Sequence, residues 1–215
     1  MKLSTNFLKD YIDIDVDVKQ LAEDMTRVGN EYDSASNLIN ATKLVIGQIT
    51  ECEPHPDSDH LHLCKVNIGT EVLDIVCGAP NARTGLKVIV ALDGAVLPEK
   101  TIKKGMIRGQ ESNGMLCSIA ELGLEHKFLK PEDSEGIAEL GEDAEIGGDP
   151  IKYLQMDDGV IDFELTANRG DLLSVLGMAY ELGAIYDKKV KPVEYGYKEN
   201  GEDVNKEFSV QVKTE

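Results

Sequence analysis

The 215-residue sequence predicts an α+β fold, with a β unit of barrel or sandwich type inserted into a small helix-rich domain that is split in sequence. Three observations predict it. Apolar residues recur at helical spacing near both ends, at Val18, Leu21, Met25 and Val28 and again at Leu172, Val175, Leu176, Ala179, Leu182 and Tyr186. Between them, short strand-like runs are punctuated by glycine-containing turns. Two short N-terminal helices cannot bury a core alone, so residues 1–39 need a second segment, and 151–190 supplies it. The expected division is therefore 1–39 plus 151–190, then 40–150 for the β unit. Residues 191–215 form a linker and the first strand of a further domain.

Each element has a local reason. Ser4 is placed to cap a short helix carrying Phe7, Leu8 and Tyr11. Asp17 and Gln20 frame the next helix start as in a capping box, and Gly29 is placed to end that helix in the left-handed conformation. Strands are expected over Val45–Thr50, Leu61–Ile68, Val72–Cys77, Lys87–Leu92 and Met115–Ser118, with turns at Gly69-Thr70, Asp93-Gly94 and Asn113-Gly114. Residues 131–150 are acidic and glycine-rich and read as a surface loop. Val160–Leu165 reads as a strand, and the turn after it positions Asp171 to cap the following helix. Lys188–Val204 is linker-like. Phe208, Val210 and Val212 then alternate like the start of another strand, as in a piece of a longer polypeptide ending at a domain boundary.

Composition narrows the function classes. A 41% hydrophobic content suffices for a packed core and excludes global disorder. No apolar run approaches the ~20 residues that span a bilayer, and the N-terminus lacks the apolar core of a signal peptide, so no membrane partner and a cytoplasmic location are expected. The widely spaced Cys52, Cys64, Cys77 and Cys117 suit reduced, buried thiols. Cys52, His55, His60, His62 and Cys64 are residue types that bind zinc, but their spacing fits no structural zinc pattern, so no metal site is expected. Neither a Walker-type loop nor a GxGxxG fingerprint is present. Glu53, Asp57 and Asp59 sit around a Pro- and Asp-rich turn with no accompanying nucleophile, so no catalytic residue is expected. The net charge of −18 repels phosphate backbones, so any nucleic-acid contact requires a locally basic face. The densest such cluster is Lys100, Lys103, Lys104 and Arg108.

Three stretches carry a resemblance. The first is His55-Pro56-Asp57-Ser58-Asp59-His60-Leu61 with Cys64-Lys65-Val66. The second runs from Cys77-Gly78-Ala79-Pro80-Asn81-Ala82-Arg83 to Arg108-Gly109-Gln110-Glu111-Ser112-Asn113-Gly114-Met115-Leu116-Cys117-Ser118, continued by Glu121-Leu122-Gly123. The third is Glu164-Leu165-Thr166-Ala167-Asn168-Arg169-Gly170-Asp171-Leu172-Leu173-Ser174-Val175-Leu176-Gly177. The first two resemble the tRNA-binding OB-fold module found in methionine–tRNA ligases and in free-standing tRNA-binding proteins. Together with the third, they resemble the N-terminal part of bacterial phenylalanine–tRNA ligase β subunits.

That resemblance implies a five-stranded OB-fold β-barrel inserted into a small split α+β domain. It implies a noncatalytic segment with no cofactor of its own, in an assembly that attaches phenylalanine to tRNA using ATP and Mg²⁺. The implied partners are the ligase α subunit, in a heterotetramer, and tRNA; DNA is not expected. The candidate tRNA-facing residues are Asn81, Arg83, Lys100, Lys103, Lys104, Arg108, Ser112, Asn113, Met115 and Ser118. Arginine offers planar paired contacts to phosphate or base edges, and Asn and Ser offer neutral hydrogen bonds. Each has a structural reading too: Asn81 organising the turn after Pro80, Arg108 pairing with Glu111, Met115 filling the core, and Ser112, Asn113 and Ser118 fixing loops. The surrounding Glu51, Glu53, Asp57, Asp59, Glu71 and Asp74 imply that tRNA binding by the chain alone is weak and salt-sensitive. Two other readings are a free-standing tRNA-binding module and a protein-interaction scaffold without RNA.

Overall fold

A computed structural model describes residues 1–124, 129–131, 135–191, 194 and 196–213. Near the N-terminus, β1 (Lys2–Ser4) leads directly into α1 (Thr5–Lys9), whose first turn is capped by Ser4 accepting a hydrogen bond from the Phe7 amide. Asp17 caps α2 (Val18–Arg27) by accepting from the amides of Lys19 and Gln20. The return half of the expected capping box is missing, because the Gln20 amide group reaches forward to Asp24. Gly29 ends this segment at φ +94°, as its position predicts. A strand follows that the pattern did not reveal, β2 (Tyr32–Asn37). Its sequence, Tyr-Asp-Ser-Ala-Ser-Asn, has almost no apolar alternation because five of its six residues are polar or small and none is fully buried. What makes it a strand is pairing with β11 (Gly159–Phe163), which also pairs with β1.

One core draws on both ends of the chain. Leu3, Leu8, Ile12, Leu21 and Met25 pack with Ile161, Phe163, Leu172, Met178 and Leu182. The last helix of this layer, α4 (Val175–Tyr186), is preceded by a short α3 (Pro150–Tyr153), β11 and a 3-10 turn over Gly170–Leu173. Asp171 does not cap α4. That role belongs to Ser174, which accepts from the Gly177 amide, while Asp171 lies inside the 3-10 turn and pairs with Arg169. The reason is spacing: the inserted turn moves the helix start three residues further on, and a hydroxyl there meets the free amides.

Arg169 joins three segments. Its guanidinium donates to both carboxylate oxygens of Asp171, at 3.1 and 2.9 Å, and to both of Glu181 in α4, at 3.2 and 2.9 Å. It also reaches Asn30 Oδ1 at 3.1 Å, just past α2. This geometry holds the Glu181 and Asp171 carboxyls below their ordinary values of 4.5 and 3.8, first through the hydrogen bonds from Arg169. A depressed carboxylate stabilises the fold fully above its unfolded value and loses that contribution as pH falls through its folded value. Arg169→Ala is therefore expected to lower the urea midpoint at neutral pH, and the gap from the parent should shrink at about pH 3. A gap that stays constant or grows on acidification would show that the network contributes nothing through ionisation.

The middle of the chain is mostly sheet. It curls into a half-barrel of order β10-β6-β3-β4-β5, with β9 also paired to β6. These strands are β3 (Leu44–Pro54), β4 (His62–Asn67), β5 (Val72–Cys77), β6 (Lys87–Leu92), β9 (Gly114–Cys117) and β10 (Glu139–Leu140). The curl begins in β3, whose first half pairs with β6 and whose second half pairs with β4 across a register shift between Ile49 and Glu51. Gly47 sits at the tightest point: a Cβ there would lie 2.7 Å from Val90 Cγ2 and 2.8 Å from Val66 Cγ1. Strand β6 is buried on both faces. Val88 and Val90 join the inner cluster with Ile49, Val66 and Ile75, while Ile89 and Ala91 join an outer cluster with Leu97, Cys117 and Leu122. At the far edge, the Asn113 amide donates to the Asp74 carbonyl at 2.8 Å and brings β5 toward β9.

Asn113-Gly114 does not make the expected turn. Asn113 is the one residue between β8 (Gln110–Ser112) and β9, and Gly114 is already the first residue of β9. The hairpin turn lies earlier, at Arg108 and Gly109, both in the left-handed region at φ +48° and +82°. Two such residues between β7 (Gly105–Ile107) and β8 make a two-residue hairpin loop. The expected surface loop over 131–150 contains β10 and the start of α3, and its residues 132–134 lie outside the described ones. Phe208, Val210 and Val212 are exposed and lie in none of the strands among the described residues, although Val204–Glu207 forms one helical turn, α5.

Candidate nucleic-acid interface

The ten candidate residues separate into groups once their partners are seen. Asn81 is a clasp. Its side-chain amide accepts from the Ile137 amide at 3.0 Å and donates to the Ile137 carbonyl at 2.9 Å, with a further donation to Glu139. Arg83 is held by Glu139 through two bonds of 2.8 Å. Lys100 is held by Glu121 at 2.8 Å. Ser112 is 4% exposed and bridges the Val76 amide and the Gly114 carbonyl. Ser118 and Glu121 cap each other's amides around a 3-10 turn over Ala120–Leu122. These five therefore have their hydrogen-bonding groups engaged within the fold. Met115 is half-buried against the outer cluster.

The Glu121-Leu122-Gly123 sequence follows from the same turn. Leu122 is buried at 1% exposure, and Gly123 at φ +100° lies where a Cβ would meet Pro98 at 2.7 Å. Beside this turn a groove of about 590 Å³ opens between Val76–Ala79, Leu97–Lys100, Met115–Ser118 and Glu135–Ile137. Among the described residues its charged lining is Glu99, Lys100, Glu121 and Glu135, and Lys100 is paired with Glu121. The groove has an apolar floor and an acidic rim, and it disfavours phosphate.

Lys103, Lys104 and Arg108 are different. All three are exposed on the approach to, and the tip of, the β7–β8 hairpin. Neither the Lys103 nor the Lys104 ammonium has a carboxylate partner among the described residues; only the Lys104 backbone amide is used, donating to Asp93. Arg108 gives one hydrogen bond of 3.2 Å to the Asp57 carbonyl, in place of the expected pairing with Glu111. The hairpin also carries two apolar side chains absent from the candidates, Met106 at 67% and Ile107 at 41% exposure. Their signal in the sequence was Arg108-Gly109 as a turn, which would have marked 105–112 as a projecting arm.

Cys64 and Cys77 belong to the inner cluster with Cys52 packed against it, and Cys117 belongs to the outer cluster. Cys52 and Cys64 are directly paired across β3 and β4 with sulfurs 3.8 Å apart. Burial pushes the Cys64, Cys77 and Cys117 thiols up, Cys117 to about 12. Among the described residues no group of three His, Cys, Asp or Glu side chains is arranged to hold a metal ion. His55 is 4% exposed and uses Nδ1 to accept from the Asp57 amide, fixing the His-Pro-Asp turn. Among the described residues no helix is long and apolar enough to cross a membrane.

Comparison with known proteins fits this geometry. Residues 44–149 match the family described as "Putative tRNA binding domain". The whole chain aligns with the "Phenylalanine--tRNA ligase beta subunit" of Streptococcus pneumoniae R6 at 44% identity over 217 residues, covering 100% of this chain and 27% of that protein. The subunit of the same name from Lactiplantibacillus plantarum is 47% identical, covering 88% of this chain and 24% of its own length, and that from Geobacillus kaustophilus is 45% identical, covering 99% and 27%. Among solved structures, the C-terminal domain of Plasmodium vivax p43 aligns over 48% of this chain and 56% of its own at 22% identity, with a TM-score of 0.35. The chain thus spans about a quarter of the length of the curated relatives it matches. It belongs to the phenylalanine–tRNA ligase beta-subunit family as a segment of that length, with a tRNA-binding domain over residues 44–149.

Proposed function

We propose that this chain is a noncatalytic part of a ligase that attaches phenylalanine to tRNA, contributing structure and auxiliary tRNA contacts. The observation that carries this reading is the match along the whole chain to β subunits of that name. In this account ATP and Mg²⁺ act elsewhere in the assembly, the α subunit is the protein partner in a heterotetramer, and the enzyme works in the cytoplasm. The half-barrel is an OB-type barrel inserted between 1–39 and 151–190. The three-stranded sheet supports that insertion, since β11 pairs with both β1 and β2. The clasped Asn81, Arg83 and Lys100 favour a structural role for those residues, so the tRNA-facing set reduces to Lys103, Lys104 and Arg108 with Asn113 and Met115 beside them.

A chimera tests the reading. The matching segment of a relative's β subunit is replaced by this chain, and the hybrid is co-expressed with that relative's α subunit. Assembly and phenylalanine-dependent tRNA charging are expected to be retained. A folded hybrid β subunit that fails to bind α would overturn the proposal.

A further inference from the structure

The β7–β8 hairpin combines charge and apolar surface in a way no other described part of the 44–149 segment does. Elsewhere among the described residues of that segment, Lys65 is paired with Glu51, Arg83 with Glu139 and Lys100 with Glu121, each within 2.9 Å. Lys87 is spent on the carbonyls of Glu142 and Ala144, and Lys43, just before the segment, leans on the Asp93 carbonyl. Residues 103–111 carry three cations and one carboxylate, Glu111, which lies opposite Met106 in the hairpin register. Arg108 gives one bond to the Asp57 carbonyl and Asp93 accepts from the Lys104 amide, while the Lys103 and Lys104 ammonium groups have no carboxylate partner among the described residues. In a chain of net charge −18, this is where a phosphate backbone meets unspent positive charge. Exposed Met106 and Ile107 lie between Lys104 and Arg108. A paired RNA helix excludes side chains from its deep, narrow major groove and presents 2′-hydroxyls and base edges, not base faces, in its shallow minor groove. As successive residues of β7, Met106 and Ile107 face opposite sides of the hairpin, so a looped-out nucleotide on one side would meet Met106, whose flexible apolar chain suits a base.

We infer that the hairpin arm Lys103–Glu111 is a single-stranded RNA contact, with Lys103, Lys104 and Arg108 on backbone phosphates and Met106, the more exposed of the two apolar side chains, against an unstacked base of a tRNA loop. This rests on the tRNA reading above and assigns it to the arm instead of the acidic groove. The Arg108-Gly109 turn sets the hairpin geometry through two left-handed residues, and Arg108 stands at its tip with one guanidinium hydrogen bond to the Asp57 carbonyl.

The test uses the full chain and unmodified tRNA(Phe) transcript, with equilibrium binding followed over a salt series. Lys103→Gln/Lys104→Gln is expected to weaken binding about 5-fold or more at about 50 mM salt and to lower the slope of log K against log salt by about 1 to 2. Met106→Ser/Ile107→Ser is expected to weaken tRNA binding with the slope unchanged, and to have no effect on a fully paired RNA duplex. Arg83→Gln/Lys100→Gln, in the clasped pairs, is the comparison and should leave the salt slope as it was. If the parent chain binds tRNA and the arm variants match it, the arm assignment is overturned while the tRNA reading stands. If the lysine variant weakens binding and the Met106/Ile107 variant does not, the base contact is overturned. If the parent binds no tRNA even at about 50 mM salt, the tRNA reading fails and takes the arm with it. All four proteins are exposed-site variants or parent, and matching circular dichroism confirms a common fold.

Discussion

Gly177→Ala is expected to destabilise the chain by about 3 kcal/mol, at the upper end of what overpacking a tight site costs. A Cβ on Gly177 would fall directly onto the Asp171 carbonyl oxygen, with the Asp171 carbonyl carbon at 2.8 Å and Ser174 Oγ at 3.2 Å. Two of those three atoms are backbone and cannot rotate away. They belong to the 3-10 turn whose Leu172 is fully buried and whose Asp171 is fixed by Arg169. Alanine is the better helix former by about 1 kcal/mol, so the substitution would be stabilising in an unpacked helix. Here the collision outweighs propensity. Gly170, with open space where its Cβ would go, is the control, and Gly170→Ala should leave the urea midpoint nearly unchanged. A Gly177→Ala chain as stable as the parent would show that the turn and α4 pack less closely than described.

The second large effect is expected at Asn81. Removing its amide in Asn81→Ala leaves the Ile137 N–H and C=O without partners, and Ile137 is 4% exposed. An unsatisfied buried backbone group costs about 1–3 kcal/mol, so the pair should cost about 2–3 kcal/mol after local relaxation. The loss should be local as well as global. Hydrogen exchange at the Ile137 amide should accelerate more than exchange at the fully buried Val90 of β6. Unchanged stability and protection would return Asn81 to the set of residues free to meet a ligand.

Most of the fold was legible because its signals are local. Ser4 and Asp17 cap helices by the rule that puts short oxygen-bearing side chains before them, and the periodicity through Ala179 and Leu182 marks the buried face of α4. Strands β5 and β6 run Val72–Cys77 and Lys87–Leu92, as their apolar residues predict. What was hidden depends on distant partners. β2 is a strand because β11 lies beside it, and no alternation in Tyr32–Asn37 records that. Asp171 reads as a cap until a 3-10 turn moves the helix start to Val175.

The site was legible only as a group of residue types. Sequence places Arg83, Lys100, Lys103, Lys104 and Arg108 in one stretch, but Glu139 and Glu121, distant along the chain, decide which charges are spent. Met106 and Ile107 escaped notice because a short apolar pair reads as core until the hairpin turns it outward.

Binding of tRNA(Phe) to the parent chain over a salt series tests the central claim most directly. The unspent cations of the arm predict measurable binding at about 50 mM salt. The overall negative charge predicts that it is lost by about 200 mM. Absence of binding at the lower salt, or tight retention at the higher one, would contradict an auxiliary tRNA contact made through a small basic arm on an acidic protein.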